Sequence, residues 1–360
     1  MKFLFAIQGE GRGHLTQAIT LRNMLVRNGH EVVSVLAGKS NRRELPAFFF
    51  ENIHAPVYRI DSPNFIPAAK NKKTNIWRSF FYNLPKFPLY VRSIFSIRKH
   101  IKQSGADIAV NFYEVMMGVT YFVCPPRIPY ISVAHQYLFL HPEYRFPNES
   151  KAELLMVKLF TRLTCIRSKR IFALAIEKTA PAPKKRMIIV PPLLRNEVLQ
   201  CTPTAGDYLH GYLLNANYAE DIIAYQQLHP EVRMHFFWDK KEVPEETVIN
   251  DRLSFHQLND KLFIQYMAAC KGYATTAGFE SVCEAMYLGK PVLMVPTHIE
   301  QSCNAHEAAA AGAGVVSDHF DLDTLIDYIP NYQGNENFHS WIQQSEEIWL
   351  NELEAIAVGV

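Results

Sequence analysis

The sequence predicts an α/β protein of two domains, each built on a parallel sheet. Three observations carry this. Apolar strand-like runs alternate with amphipathic helical patterns through both halves of the 360 residues, the signature of strands joined by helical crossovers. Charge changes sign near the middle: residues 1–195 hold 30 Lys and Arg against 11 Asp and Glu, and residues 196–360 hold 7 against 24. Pro191-Pro192 follows a strand-like run and marks the boundary. The domains are therefore placed at 1–192 and 193–335, with 336–360 as a terminal helix able to cross back to the first domain.

In the first half, residues 2–7, 31–37, 107–111, 129–134, 171–175 and 187–190 read as strands, and 14–28 as a helix. Gly29 falls where a helix C-cap belongs. In the second half, 207–213, 233–238, 272–275 and 291–295 read as strands. Segments 218–228, 278–288, 302–311 and 322–328 read as helices, and 338–355 as one more, carrying Trp341, Ile348, Trp349 and Leu353.

Hydrophobic content of 48% and charged content of 20% suit a soluble globular protein. The six cysteines include no C-x-x-C pair, which points to reduced thiols in a cytoplasmic protein. The first apolar run is too short for a signal peptide, and no run approaches the roughly 18 residues of a membrane span.

The stretch AIQGEGRGHLTQAI follows the first strand. Gly9, Gly11 and Gly13 allow a tight turn and close approach of a ligand to the backbone. The helix that follows offers open N–H groups and a positive dipole end. His14 stands at the carboxyl edge of the sheet, where ligands bind in such folds. A neutral imidazole there can take a proton near pH 7. The same residues also serve a plain turn with a capping histidine.

Residues 276–306 read TAGFESVCEAMYLGKPVLMVPTHIEQSCNAH. This is a turn at Ala277-Gly278, a helix, a Gly-Lys-Pro turn, a buried strand and a polar loop before another helix. Glu284, Glu300 and Gln301 supply oxygens suited to a diol-rich ligand, and the helix start at Gly278 suits a diphosphate.

Together, the Gly-x-Gly-x-Gly-His turn and the T-x-G-F-x-S-x-x-E-A … G-K-P … E-Q-x-x-N-A stretch resemble GT-B nucleotide-sugar glycosyltransferases. The similarity is to the UDP-glycosyltransferases and the peptidoglycan N-acetylglucosaminyltransferase family. The resemblance implies two Rossmann-like domains with parallel sheets facing across a cleft, acceptor on the first and nucleotide sugar, UDP-linked by default, on the second. It implies metal-independent hexosyl transfer with inversion and no cofactor. His14 would be the general base, oriented by an acid: Glu114, or alternatively Asp107. Glu284 would hold the ribose, Gly278 and Ser281 the diphosphate, and Glu300-Gln301 the sugar, with Thr276 and Asn304 beside them. Thr276 stands where many relatives have histidine, and Ala277-Gly278 where they have two glycines. Asp321-Leu322-Asp323 resembles a metal-binding D-x-D but lies where a helix cap belongs.

No acid occurs between Ser62 and Ala106, while basic and aromatic residues interleave from Lys70 to Lys102. Such a stretch fits anionic membrane contact, and with it a lipid-linked or envelope glycan acceptor at the inner face of the cytoplasmic membrane. Nucleic acid is not expected, for no RNA or DNA motif appears. Two other readings remain open: a UDP-sugar 2-epimerase, and a non-catalytic binder of sugar nucleotide or nucleic acid.

Overall fold

A computed structural model describes residues 1–39, 44–63, 82–240 and 242–358. They divide into two compact units, Met1–Leu193 with Gln344–Val360, and Leu194–Gln343.

The first unit holds β1 (Lys2–Ile7), β2 (Glu31–Lys39), β3 (Val57–Asp61), β4 (Ile108–Phe112), β5 (Tyr130–Ala134), β6 (Arg170–Leu174) and β7 (Met187–Val190). They form one sheet in the order β3-β2-β1-β4-β5-β6-β7, parallel throughout. The central strands are buried on both faces, as a sheet covered by crossover helices must be. The helices are α1 (Arg12–Arg27), α2 (Ala47–Ile53), α3 (Phe87–Ser104), α4 (Val115–Val123) and α5 (Lys151–Thr164). Right-handed crossovers put α1 and α2 on one face and α3, α4 and α5 on the other, where α3 packs on α4 and α4 on α5.

Register decides what gathers at the carboxyl edge. Ile7 of β1 pairs with both Ala37 of β2 and Phe112 of β4. The three strands therefore end almost level, and the segments after them converge.

The second unit holds β8 (Tyr208–Leu213), β9 (Arg233–Trp238), β10 (Glu246–Asn250), β11 (Leu253–Gln257), β12 (Gly272–Thr275), β13 (Val292–Met294) and β14 (Gly314–Val316). Their order is β10-β11-β9-β8-β12-β13-β14, parallel except for β10 on β11. Around them lie α6 (Asn196–Leu199), α7 (Ala219–Leu228), α8 (Asp260–Ala269), α9 (Phe279–Tyr287), α10 (Ile299–Ala310), α11 (Leu322–Tyr328) and α12 (Glu336–Gln343). The buried Lys290 ammonium donates to the carbonyls of Thr204 (2.7 Å) and Cys270 (2.9 Å). It ties the segment entering β8 to the loop leaving α8.

Three expectations need correction. The terminal helix is two helices, α12 and α13 (Ser345–Val358), because the chain turns at Gln344. The E-Q helix starts at Ile299 rather than near Ser302, which puts Glu300 and Gln301 in its first turn. β3, β10, β11, β14 and helices α2 to α6 and α8 add to the predicted elements. Asp321 caps α11 as predicted, accepting from the Thr324 N–H at 3.2 Å.

The last helix closes the core of the first unit. Trp349 is fully buried, stacks on Phe172 of β6 at 5.0 Å and donates its indole N–H to the Pro191 carbonyl at 3.3 Å. Arg170 and Glu352 meet beside it at 2.6 Å. Truncating a fully buried tryptophan costs about 3–5 kcal/mol. Trp349→Ala should lower the unfolding free energy of the first unit by that amount, seen as a lower urea midpoint in near-UV circular dichroism.

Candidate functional site

In the first unit the site begins with a steric fact. A Cβ built on Gly9 would land on the carbonyl of Gly38, and one built on Gly38 would land on Glu114 Oε2. The turn after β1, the end of β2 and the segment after β4 are pressed together with no room for side chains. Gly11 is the N-cap of α1, in extended geometry and without a side-chain cap. The first turn of α1 then carries His14, 7% exposed. Its ring stacks on Tyr113 at 5.6 Å. His14 Nδ1 lies 3.3 Å from Gln17 Oε1, one turn on along the same helix. An Nδ1–H donating to that oxygen leaves the lone pair on Nε2, the tautomer a base needs.

Glu114 caps α4: its Oε1 accepts from the Met116 N–H at 3.0 Å and from Ser62 Oγ at 2.6 Å. Asn111 brackets its backbone on both sides. Oε2 is buried with no hydrogen-bond partner among the described residues. Burial is the strongest influence on this carboxyl and pushes it up to about 7, against the pull of the two hydrogen bonds. Tyr113, between β4 and Glu114, has φ +61°, a left-handed conformation that a bulky side chain rarely adopts.

In the second unit β12 ends at Thr275, paired with Tyr212 and Met294 of its neighbours. The turn that follows carries a second left-handed residue, Ala277 at φ +59°. Its carbonyl accepts from Asn304 Nδ2 at 3.1 Å. Asn304 Oδ1 is buried without a partner among the described residues. α9 starts at Phe279 with Gly278 as an N-cap that supplies no side-chain bond, and the positive dipole end of such a helix suits an anion. Ser281 Oγ turns back onto the Gly278 carbonyl at 3.2 Å. Gln301 Oε1 accepts from Thr297 N (2.9 Å) and Thr297 Oγ1 (2.7 Å), while its Nε2 points at Thr276 Oγ1, 3.5 Å away.

Glu284 lies one and a half turns into α9 and is gripped from both sides. Arg195 Nε reaches Oε1 at 2.6 Å and a second guanidinium nitrogen reaches Oε2 at 2.8 Å. Asp260 stands 3.6 Å from the same guanidinium. Burial works against the arginine's charge, but Glu284 and Asp260 outweigh it and hold its pKa up. A bidentate pair of this kind fixes the plane of the carboxylate and leaves each oxygen a further lone pair.

The glycosyl transferase family 1 profile matches residues 1–332. The chain belongs to glycosyl transferase family 1. Solved glycosyltransferases share its fold across their whole length. The calicheamicin glycosyltransferase CalG4 superposes with a TM-score of 0.63 at 15% identity, covering 98% of this chain and 97% of that one. The spinosyn forosaminyltransferase SpnP gives 0.61 at 14%, covering 99% of each. UGT2 of Phytolacca americana, complexed with UDP-2-fluoro-glucose and pterostilbene, gives 0.59 at 14%, covering 96% and 94%. No curated protein matches the sequence at a significant level. The architecture is GT-B, two α/β domains with parallel sheets.

In this glycosyltransferase, Thr276, Gly278, Ser281, Glu284, Gln301 and Asn304 gather around the end of β12, with Glu300 in the same helical turn as Gln301. Gly9, Gly11, Gly13 and His14 lie at the end of β1, and Glu114 adjoins them through Gly38. Asp107 does not. It precedes β4, where its carboxylate accepts the Lys2 N–H at 2.7 Å. That is the amino edge of the sheet, a strand length of roughly 16 Å from the carboxyl edge where His14 stands, so Asp107 does not orient it. Gln17, Ser62 and Arg195 escaped the sequence reading. Gln17 was detectable from its i, i+3 spacing to His14. Arg195 carried no local signal, being 89 positions from Glu284.

The raised pKa of Glu114 sets a sign for stability against pH. Below about 4.5, its ordinary value, the carboxyl is protonated folded or unfolded and its contribution is complete. That contribution is lost as pH rises through about 7. Glu114→Gln should therefore gain stability relative to wild type between pH 4.5 and 8, read as a widening gap in urea midpoints. A constant gap would mean the carboxylate is not strained by burial.

Proposed function

We propose that the protein is an inverting, metal-independent glycosyltransferase that moves a hexosyl group from a nucleotide sugar, UDP-linked by default, to a hydroxyl acceptor. The observation that carries the reading is Glu284, held fork-to-fork by Arg195 a short way along a helix whose N-terminus has no side-chain cap. A nucleoside diphosphate needs both parts: acceptor oxygens for the ribose diol and N–H groups for the phosphates. UDP-2-fluoro-glucose in the Phytolacca structure and the thymidine diphosphate of the spinosyn rhamnosyltransferase SpnG are ligands of this kind.

In this reading Gly278 and Ser281 receive the diphosphate, and Thr276, Glu300, Gln301 and Asn304 the sugar. His14 Nε2 takes the acceptor's hydroxyl proton as that oxygen attacks the anomeric carbon. The bond from that carbon to the diphosphate oxygen breaks with inversion, and the α9 N–H groups receive the charge that develops there. Gln17 holds the imidazole tautomer. Glu114, buried and turned to Ser62, shapes the turn beneath His14 and orients it through Tyr113 rather than by a direct ion pair. A lipid-linked or envelope glycan acceptor is favoured by the basic charge of the first half.

Two measurements test this. The melting temperature should rise with one family of nucleotides among UDP, TDP and GDP. Glu284→Gln, which keeps the shape but removes the charge, should weaken that nucleotide by about 10- to 100-fold. In a transfer assay, His14→Ala should lower kcat by about 10²- to 10⁴-fold with the nucleotide affinity unchanged. No nucleotide shift for folded protein would contradict the reading. Release of an epimerised free sugar without acceptor would assign the epimerase chemistry instead.

A further inference from the structure

Helix α5 is apolar on its outer side as well as its inner one, where Leu154, Val157 and Phe160 are half-buried. Its buried positions Thr161 and Thr164 are polar and face the sheet, where their hydroxyls meet Tyr113 OH (2.7 Å) and Tyr137 OH (3.0 Å). Leu155, Met156, Leu159 and Leu163 face outward and are 41–55% exposed. The spacing 155, 156, 159, 163 keeps them on one stripe. A helix that faces water carries polar residues on its outer side, and a continuous row of large aliphatics there marks an interaction site.

The row does not stop at α5. α4 packs against the end of α5 so closely that a Cβ on Gly118 would land on the Leu163 carbonyl. One turn further along α4, Phe122 and Val123 are each 57% exposed. Cations border this ridge. Lys158 lies over the Phe146 ring at 4.0 Å and Arg167 over Phe122 at 5.9 Å. Lys151 and Arg162 are exposed on α5 itself, against one acid, Glu153. On α3, which shares this face of the sheet, Arg92, Arg98, Lys99 and Lys102 are exposed with Phe95 among them.

We propose that the outer face of α5, with the end of α4, docks on a lipid bilayer that carries anionic headgroups. Such a surface offers an apolar phase for the aliphatic ridge and, at its boundary, negative charge for the lysines and arginines. Other occupants fit less well. A second copy of this chain would bring the same cations face to face. Nucleic acid would meet the cations but not the aliphatic row. No helix of the described residues is long and apolar enough to span a bilayer, so the contact lies in the interface plane. The aliphatic ridge itself lies outside the 70–102 stretch, which contributes only the exposed residues of α3; residues 70–81 of that stretch lie outside the described residues.

The placement matters to the chemistry. The inner face of α5 holds Tyr113, through Thr161 and an edge contact with Phe160 at 5.6 Å, and Tyr113 stacks on His14. A bilayer on the outer face would lie one helix away from the candidate base. The docking surface itself does not depend on the proposed reaction.

Sedimentation with vesicles tests it, using phosphatidylcholine alone or mixed with phosphatidylglycerol. The whole protein should pellet with the mixed vesicles and not with phosphatidylcholine alone, and salt should weaken binding. Leu155→Glu/Leu159→Glu should lower vesicle binding by about tenfold or more, with the melting temperature and nucleotide response of wild type, since both side chains are exposed. Lys158→Glu/Arg162→Glu should weaken it as well. Absence of binding to mixed vesicles, or binding unchanged in the leucine variant, would overturn the proposal. So would a wild-type dimer in light scattering that the leucine variant abolishes, which would assign the face to a second copy.

Discussion

The amino-terminal site depends on the contact between the turn after β1 and the end of β2, where the backbone of Gly9 lies against the carbonyl of Gly38 and Gly38 against Glu114. Level strand ends bring these segments together, and the absence of side chains lets them touch. From that contact the direction of α1 follows, and with it the seat of His14 over Tyr113. The arrangement has a cost in the same place. Glu114 is buried with one oxygen unpartnered among the described residues, and Tyr113 is held in a left-handed conformation. Local strain of this sort persists only where the surrounding structure overdetermines it, and it concentrates at functional sites.

The second unit solves a similar problem by other means. Its turn after β12 also carries a left-handed residue, Ala277, where a glycine would be unstrained. Here buried charge does the organising: Arg195 locks Glu284, and Lys290 ties two loops through their carbonyls. Removing one member of a buried pair is far more damaging than replacing both. Conservative substitutions are therefore the informative ones at this site, because they separate binding from folding.

Much of the fold was legible because parallel strands buried on both faces are continuous apolar runs: β1, β2, β4 and β5 announce themselves. What was missed has physical reasons. β10 is an exposed antiparallel edge strand, and β14 is three residues long. α3 was masked by its charges and aromatics, although Tyr90, Ile94, Ile97 and Ile101 carry a helical period on its buried side. α5 defeats periodicity because it is apolar on both sides: Leu154, Val157 and Phe160 are half-buried while Leu155, Met156, Leu159 and Leu163 are exposed. At the donor site, the motif from Thr276 to Asn304 lies on consecutive elements around one strand end, so proximity in sequence became proximity in space. Arg195 and Ser62 arrive from distant segments and only the fold brings them in.

The central claim is that His14 is the base of an inverting transfer. Water can serve as acceptor, so the claim is testable before the natural acceptor is known. The nucleotide sugar that most stabilises the protein is incubated with it, and the anomer released is read by proton NMR before mutarotation. The account predicts release of the anomer opposite to the donor's, lost in His14→Ala. Release of the donor's own anomer, or undiminished hydrolysis in His14→Ala, would contradict it.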